Sequence, residues 1–296
     1  MPLLPDPAFG ALCAAGSALT WAVISLLVRT LSPAFNSVTL NALRSTLGGA
    51  LVVAWVGAAG GLPGLTAVSA RTLWLLSISV VLAVGIGDTV FFESSRDLGL
   101  ARAMTLSMSY PLIAALLAVV FLGETLTLQV ALGSLVTLGG LALTVTAKRE
   151  GVCGHGRFGP GIGAATLAAI AWAVSVVLLK PTLREVDAIA AQAIRLPLAG
   201  ALLWATPWAW RSAGPLGNHG RGALWRLAAL GVLTAVSSIM FVQGVRYSGV
   251  AVATVLSSTA PVFAIPLGVL FLGERLTPTA VAGTILALIG ITVLQR

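Results

Sequence analysis

The sequence predicts an all-α integral membrane protein of ten transmembrane helices, arranged as a 5+5 inverted-topology repeat. Three observations carry that prediction. The 296 residues are 58% hydrophobic and 9% charged, with a mean hydropathy of +1.02; a water-soluble domain carries about 25% charged residues, so this much apolar surface needs lipid. Apolar runs of about 20 residues, the length that crosses a hydrocarbon core of about 30 Å as a helix, recur ten times along the chain. The second half then restates the first at an offset of 150 or 151 residues.

In order, the runs are 10–28, 37–57, 72–92, 101–122, 128–147, 159–179, 188–208, 224–243, 251–272 and 278–295. The opening MPLLPDPAFG lacks the basic start of a cleaved leader, so the first run reads as a retained helix. Helix 1 carries Thr20-Trp21-Ala22-Val23, answered in helix 6 by Ala171-Trp172-Ala173-Val174. Helix 2 carries Asn41-Ala42-Leu43-Arg44, answered in helix 7 by Gln192-Ala193-Ile194-Arg195. Helix 3 holds Asp88 and Glu93 in its last turns where helix 8 offers Ser238 and Gln243, and Arg96 answers Arg246. Helices 4 and 9 are the most alike: Val119–Thr127 matches Val269–Thr277 at seven of nine positions, and each helix has a proline near its midpoint, Pro111 and Pro261. Helices 5 and 10 repeat Gly133 and Gly140 as Gly283 and Gly290. The repeats are therefore 1–147 and 159–296, joined by a polar linker at 148–158. Because five is odd, the second copy enters the membrane upside down, a design most characteristic of secondary transporters.

Charge excludes other classes. A net charge of +8 and a pI near 11 could suggest nucleic acid, but fifteen of the seventeen basic residues lie in or beside the short connections rather than on one face. Connections after odd-numbered helices hold ten of them and the other side five, which places the termini outside by the positive-inside rule. Cys13 in the first run and Cys153 in the linker make neither a disulfide framework nor a metal cluster. No Walker loop and no H-E-x-x-H occurs, and His155 and His219 both fall in loops. The sequence thus predicts no cofactor, no metal, no enzymatic activity and no nucleic-acid partner.

The candidate site residues sit in the matched segments. A proline inside a helix frees a backbone carbonyl and bends the chain, which lipid tolerates only against protein or a water-filled cavity. Pro111 and Pro261 are accordingly hinge candidates beside a midplane site, with Tyr110 and Thr259 next to them as substrate contacts; the alternative is a packing kink. Arg44 and Arg195 lie three residues before their helix centres, about 4.5 Å along the axis. A guanidinium at that depth costs about 2.5–3.5 kcal/mol on insertion scales and needs a partner. With Asn41 and Gln192 one turn earlier, they would suit a carboxylate or another polar metabolite, unless they snorkel to the interface. Trp21 and Trp172 lie too deep for an interfacial aromatic belt and either wall a cavity or pack. Asp88 and Glu93 are candidates for carrying a coupling proton, against solvation or an ion pair with Arg96. Glu124 and Glu274 read as helix-end turns. The small residues of helices 5 and 10, Gly133 with Thr137 and Gly283 with Ala287, allow close contact either between the halves or between protomers of a homodimer.

The repeated Pro111…Phe121-Leu122-Gly123-Glu124…Gly133 and Pro261…Phe271-Leu272-Gly273-Glu274…Gly283, with Trp21, Trp172 and Arg246-Tyr247-Ser248, resemble the EamA family of the drug/metabolite transporter superfamily over nearly the whole chain. The resemblance implies a 5+5 carrier of small metabolites, often amino acids, in the bacterial inner membrane, with cytoplasmic termini, opposite to the charge count. Phe91–Asp97 is more charged than the family's alanine-rich version of that stretch. The expected function is alternating-access transport of small polar metabolites around a midplane cavity, the partners being a small-molecule substrate and the bilayer. The competing readings are an intramembrane lipid-modifying enzyme, which would need clustered carboxylates or a nucleophile–base pair, and a non-transporting sensor or assembly subunit.

Overall fold

A computed structural model describes residues 7–123, 127–146, 158–212, 220–272 and 277–294. Cys153, His155, His219, Glu124, Glu274 and most of the linker lie outside the described residues. Among the described residues the regular structure is helical: α1 Pro7–Leu31, α2 Ser37–Ala58, α3 Leu62–Thr66, α4 Ala70–Val80, a π-helical segment Val81–Asp88, α5 Thr89–Leu98, α6 Leu100–Ser107, α7 Tyr110–Leu122 and α8 Leu128–Thr146 in the first half. The second half has α9 Phe158–Thr182, α10 Ala188–Trp204, α11 Pro207–Trp210, α12 Arg221–Ser257, α13 Ala260–Leu272 and α14 Pro278–Leu294. Several of these are long and apolar enough to cross a membrane, and large apolar side chains such as Trp74, Leu116, Phe121, Trp225 and Leu270 are exposed on the outside, as a lipid-facing surface requires. This is a multi-pass membrane protein.

Local features recur at the offsets read in the sequence. Asn36 and Asp187, 151 apart, each cap a helix with a side-chain oxygen that accepts a backbone N–H three residues on. Gly99 and Gly249, 150 apart, both take a positive φ with extended ψ, a conformation open to glycine. Each sets the break that starts the proline-bearing segment. Arg96 donates to the Ser32 carbonyl and Arg246 to the Val186 carbonyl, so each arginine ties down the loop after the first helix of its own half.

Two expectations about element ends need correction. Helix 3 does not stop near residue 92: it runs from Ala70 to Leu98 through the π-helical segment, which carries one residue more per turn than the ladder needs. Asp88 is therefore deep in the helix, not in its last turns. The proline helices are not single runs either. Turns at 108–109 and 258–259 separate two pieces, and Pro111 and Pro261 sit at the second residue of α7 and α13, where a missing N–H costs nothing. Hydroxyls absorb the freed carbonyls, with Ser109 donating to Leu106, Ser258 to Val255 and Thr259 to Leu256.

Packing pairs the halves with each other. α1 lies along α12, α2 along α10, α9 along α4, α5 and the π-helical segment, and α8 along α14. The α8–α14 contact is backbone against backbone: a Cβ at Gly140 would strike the Gly283 carbonyl and Ala287, and one at Gly290 the Gly133 carbonyl and Thr137. The small-residue faces of helices 5 and 10 thus meet each other within one chain.

Candidate functional site

A cavity of about 150 Å³ lies between the halves, about the size that holds a benzene-sized guest. Its walls come from α1 (Ser17, Trp21, Ile24), α2 (Arg44), the π-helical segment (Ala83, Val84, Asp88), α9 (Trp172, Ser175, Val176), α10 (Gln192, Arg195) and α12 (Thr234 to Ser257). The turn before α7 and its first residue add Met108 and Tyr110. Of the residues expected at the site, Trp21, Arg44, Tyr110, Trp172, Gln192, Arg195 and Asp88 converge here.

The charged groups are arranged unequally. Arg44 is 3% exposed and Asp88 6%, and Arg44 Nη2 donates to Asp88 Oδ2 in a short ion pair. Trp172 Nε1 donates to the other carboxylate oxygen at 2.8 Å and to the Ala83 carbonyl at 3.2 Å. Arg44 Nε donates to Asn41 Oδ1 at 2.8 Å, and its guanidinium stands 5.4 Å from the Trp21 ring and 5.3 Å from Phe92, within cation–π range. Asn41 itself does not line the cavity; it stands behind Arg44 and donates to the Val84 carbonyl and Thr89 Oγ1. Both carbonyls that accept from these side chains, Val84 from Asn41 and Ala83 from Trp172, belong to the π-helical segment. Gly87 is needed there, since a Cβ would come within 2.6 Å of the Trp172 ring.

On the second half, Arg195 is 5% exposed. Its hydrogen bond is a long one, Nη2 to Ser175 Oγ at 3.4 Å, and Ser175 spends its own proton on the Ser79 carbonyl. Among the described residues, Arg195 Nε and Trp21 Nε1 are buried donors without a partner. Gln192 does not support Arg195 as Asn41 supports Arg44; its amide donates instead to the Ser238 carbonyl at 3.0 Å.

The rest of the wall is aromatic and hydroxylic. Trp21 meets Trp172 edge-on at 5.8 Å, Tyr110 meets Trp172 at 5.9 Å, and the Tyr110 and Ser257 hydroxyls share a 2.5 Å hydrogen bond that joins the two helix breaks. Two expected residues lie elsewhere. Thr259 is buried and spends its hydroxyl on Leu256; Glu93 is half-exposed and pairs with Arg96 at 3.5 Å. The sequence reading did not place Ser17, Ser175, Thr234, Ser237, Met108 or Phe241 at the site. Hydroxyls in apolar helices that can bond their own backbone carry little signal, but Ser238 was visible as the counterpart of Asp88.

A family comparison matches the EamA-like transporter family at residues 8–146 and again at 159–296. The chain belongs to that family, a transporter of the drug/metabolite kind. A curated relative from Archaeoglobus fulgidus, described as an uncharacterized transporter, is 26% identical over 232 residues, covering 78% of this chain and 79% of the relative. A solved crystal structure superposes with a TM-score of 0.77 at 22% identity over 96% of both chains, a likeness of fold.

Proposed function

We propose that the protein is a secondary transporter of small polar metabolites, amino acids and related compounds among them, working by alternating access around the cavity between its halves. On this reading ten spans form a 5+5 inverted repeat, 1–147 and 159–296 around a linker at 148–158, in a bacterial inner membrane. The observation that carries it is a cavity lined from both halves, into which buried charges and aromatic rings converge; polar groups at membrane depth are functional by default, and midplane sites at the repeat interface are what inverted-repeat carriers use. Trp21, Arg44, Tyr110, Trp172, Gln192 and Arg195 contact substrate, with Asn41 orienting Arg44. Pro111 and Pro261 mark the hinges, at breaks bridged by the Tyr110–Ser257 hydrogen bond, and Thr259 belongs to the second break. Asp88 serves as the coupling carboxylate, and Glu93, paired at the periphery, assists at most in reaching solvent. A homodimer through α8 and α14 would use their exposed outer side chains, such as Leu132, Leu135, Ile285 and Ile289, not the glycines.

The test is uptake into proteoliposomes across a panel of amino acids, organic acids, sugars and organic cations, with and without a proton gradient. Flux of at least one class above empty vesicles is expected. No flux for any class, with the protein shown to be folded, would overturn the reading.

A further inference from the structure

The two halves build the same donor pair, but only one supplies its acceptor. In the first arrangement Asp88 receives Arg44 and Trp172 Nε1. The repeat places Arg195 in correspondence with Arg44, Trp21 with Trp172, and Ser238 with Asp88. Where Asp88 has its carboxylate, Ser238 has a hydroxyl that is turned to the Ala235 carbonyl at 3.0 Å. The groups left over are the counterparts of Asp88's donors: Arg195, with a buried Nε unpartnered and one 3.4 Å hydrogen bond, and Trp21, with its Nε1 unpartnered. Arg195, Trp21 and Ser238 line the same cavity. Two guanidiniums there face a single carboxylate that is already engaged by Arg44 and Trp172.

We propose that a carboxylate on the transported substrate fills this vacancy, accepting from Arg195 and Trp21 beside Ser238 as Asp88 accepts from Arg44 and Trp172. The inference rests on the transport reading only for the word substrate; the binding site stands without it. A carboxylate is chosen over other anions because the protein's own occupant of the equivalent place is one, and a guanidinium presents a planar fork that matches it. The cavity's size and its Trp21, Trp172 and Phe241 walls fit a body no larger than a short aliphatic chain or one aromatic ring.

The experiment compares matched carboxylates and amides, namely acetate with acetamide, propionate with propionamide and benzoate with benzamide, on the purified full-length protein in detergent at pH 7. Binding is followed by tryptophan fluorescence and calorimetry. At least one carboxylate should bind about ten- to a hundred-fold tighter than its amide, the range for a hydrogen bond to a charged group. Arg195→Gln should remove that preference. Ser238→Asp should supply the missing acceptor from the protein, raising the melting temperature while weakening the carboxylate about ten-fold or more. Equal binding of every carboxylate and its amide by the wild-type protein overturns the proposal, whether or not either variant folds. So does a folded Ser238→Asp variant that binds the carboxylates as the wild type does. Carboxylate-selective binding without flux of any compound would sustain the site while striking down the transport reading. Flux of neutral compounds with no carboxylate preference would do the reverse.

Discussion

The Arg44–Asp88 pair is the contact whose loss should be felt most, and its cost is best read from a double-mutant cycle. Both groups are almost fully buried. Arg44→Gln leaves the Asp88 carboxylate with one donor, Trp172 Nε1, instead of two. Asp88→Asn leaves the Arg44 guanidinium with Asn41 and the Trp21 and Phe92 faces, but no counter-charge. Removing one partner of a buried pair costs about 3–5 kcal/mol, mostly as the penalty of an uncompensated charge. The double variant holds no such charge, so it should cost little more than either single change. That gives a coupling of about 3 kcal/mol, the upper end for residues in contact. The assay is reversible unfolding in mixed SDS–maltoside micelles, followed by tryptophan fluorescence. Single costs that add to within about 0.5 kcal/mol in the double variant would refute the claim that these charges hold each other in the cavity wall.

Three further outcomes are expected. Trp172→Phe keeps the ring but removes the donor to Asp88 and to the Ala83 carbonyl, and should destabilise the protein in the same unfolding assay by about 1.5–3 kcal/mol, the range for a hydrogen bond to a charged group. Gly140→Ala places a methyl against the Gly283 carbonyl and Ala287; overpacking of this kind costs about 1–3 kcal/mol and should be visible in the same assay as a loss of stability. Glu185 lies in the loop before α10 and accepts hydrogen bonds from Thr72 Oγ1 and from the Ser69 N–H and hydroxyl; the Thr72 bond first, then those from Ser69, hold its pKa below the ordinary value of 4.5. The contribution of a depressed carboxylate is fully present above its unfolded value and is lost as pH falls through the folded one. Hydrogen-exchange protection factors at the start of α4, taken relative to the intrinsic rate at each pH, should therefore fall below about pH 4.5 in the wild type, while Glu185→Gln should show a flatter acid limb.

The all-helical membrane class was legible because lipid imposes few solutions. Long apolar runs, matched prolines and a fixed offset survive in sequence without any knowledge of contacts, and the turns at 108–109 and 258–259 fall beside the prolines that announced them. Arg44, Arg195, Trp21 and Trp172 were visible at the site because each contradicts its surroundings, a charge or an indole at membrane depth. What escaped had no such contradiction. The π-helical turn adds a residue without changing hydropathy, so helix 3 looked shorter than it is and Asp88 seemed to lie near its end. The ion pair with Arg96 weighed for Asp88 and Glu93 is made by Glu93, while Asp88 pairs with Arg44, reached through tertiary packing. Asn41 looked like a substrate contact and instead supports Arg44 from behind. The two repeats also differ in ways that only contacts reveal, since Asn41 reaches its arginine where Gln192 turns to the Ser238 carbonyl.

That difference bears on why Arg195 is tolerated at all. A structural arginine in a membrane helix is expected to reach the interface or to be matched by an acid. Arg195 does neither: it is 5% exposed, and its hydrogen bond is a 3.4 Å contact with a serine already committed to a carbonyl. Arg44 shows what a purely structural solution looks like in this fold, with an acid, an amide and two aromatic faces around one guanidinium. The second half keeps the costly cation and omits the acid that would neutralise it. A local rule broken in one repeat and obeyed in the other is the pattern expected where stability is yielded to function. It follows that Arg195→Leu should be tolerated far better than Arg44→Leu. Removing a guanidinium that makes no ion pair relieves a desolvation cost, whereas removing one that does strands Asp88. Comparable losses of stability for the two leucine variants in the micelle unfolding assay would show that Arg195 is held by the fold as Arg44 is, and would remove the reason for seeking its partner among ligands.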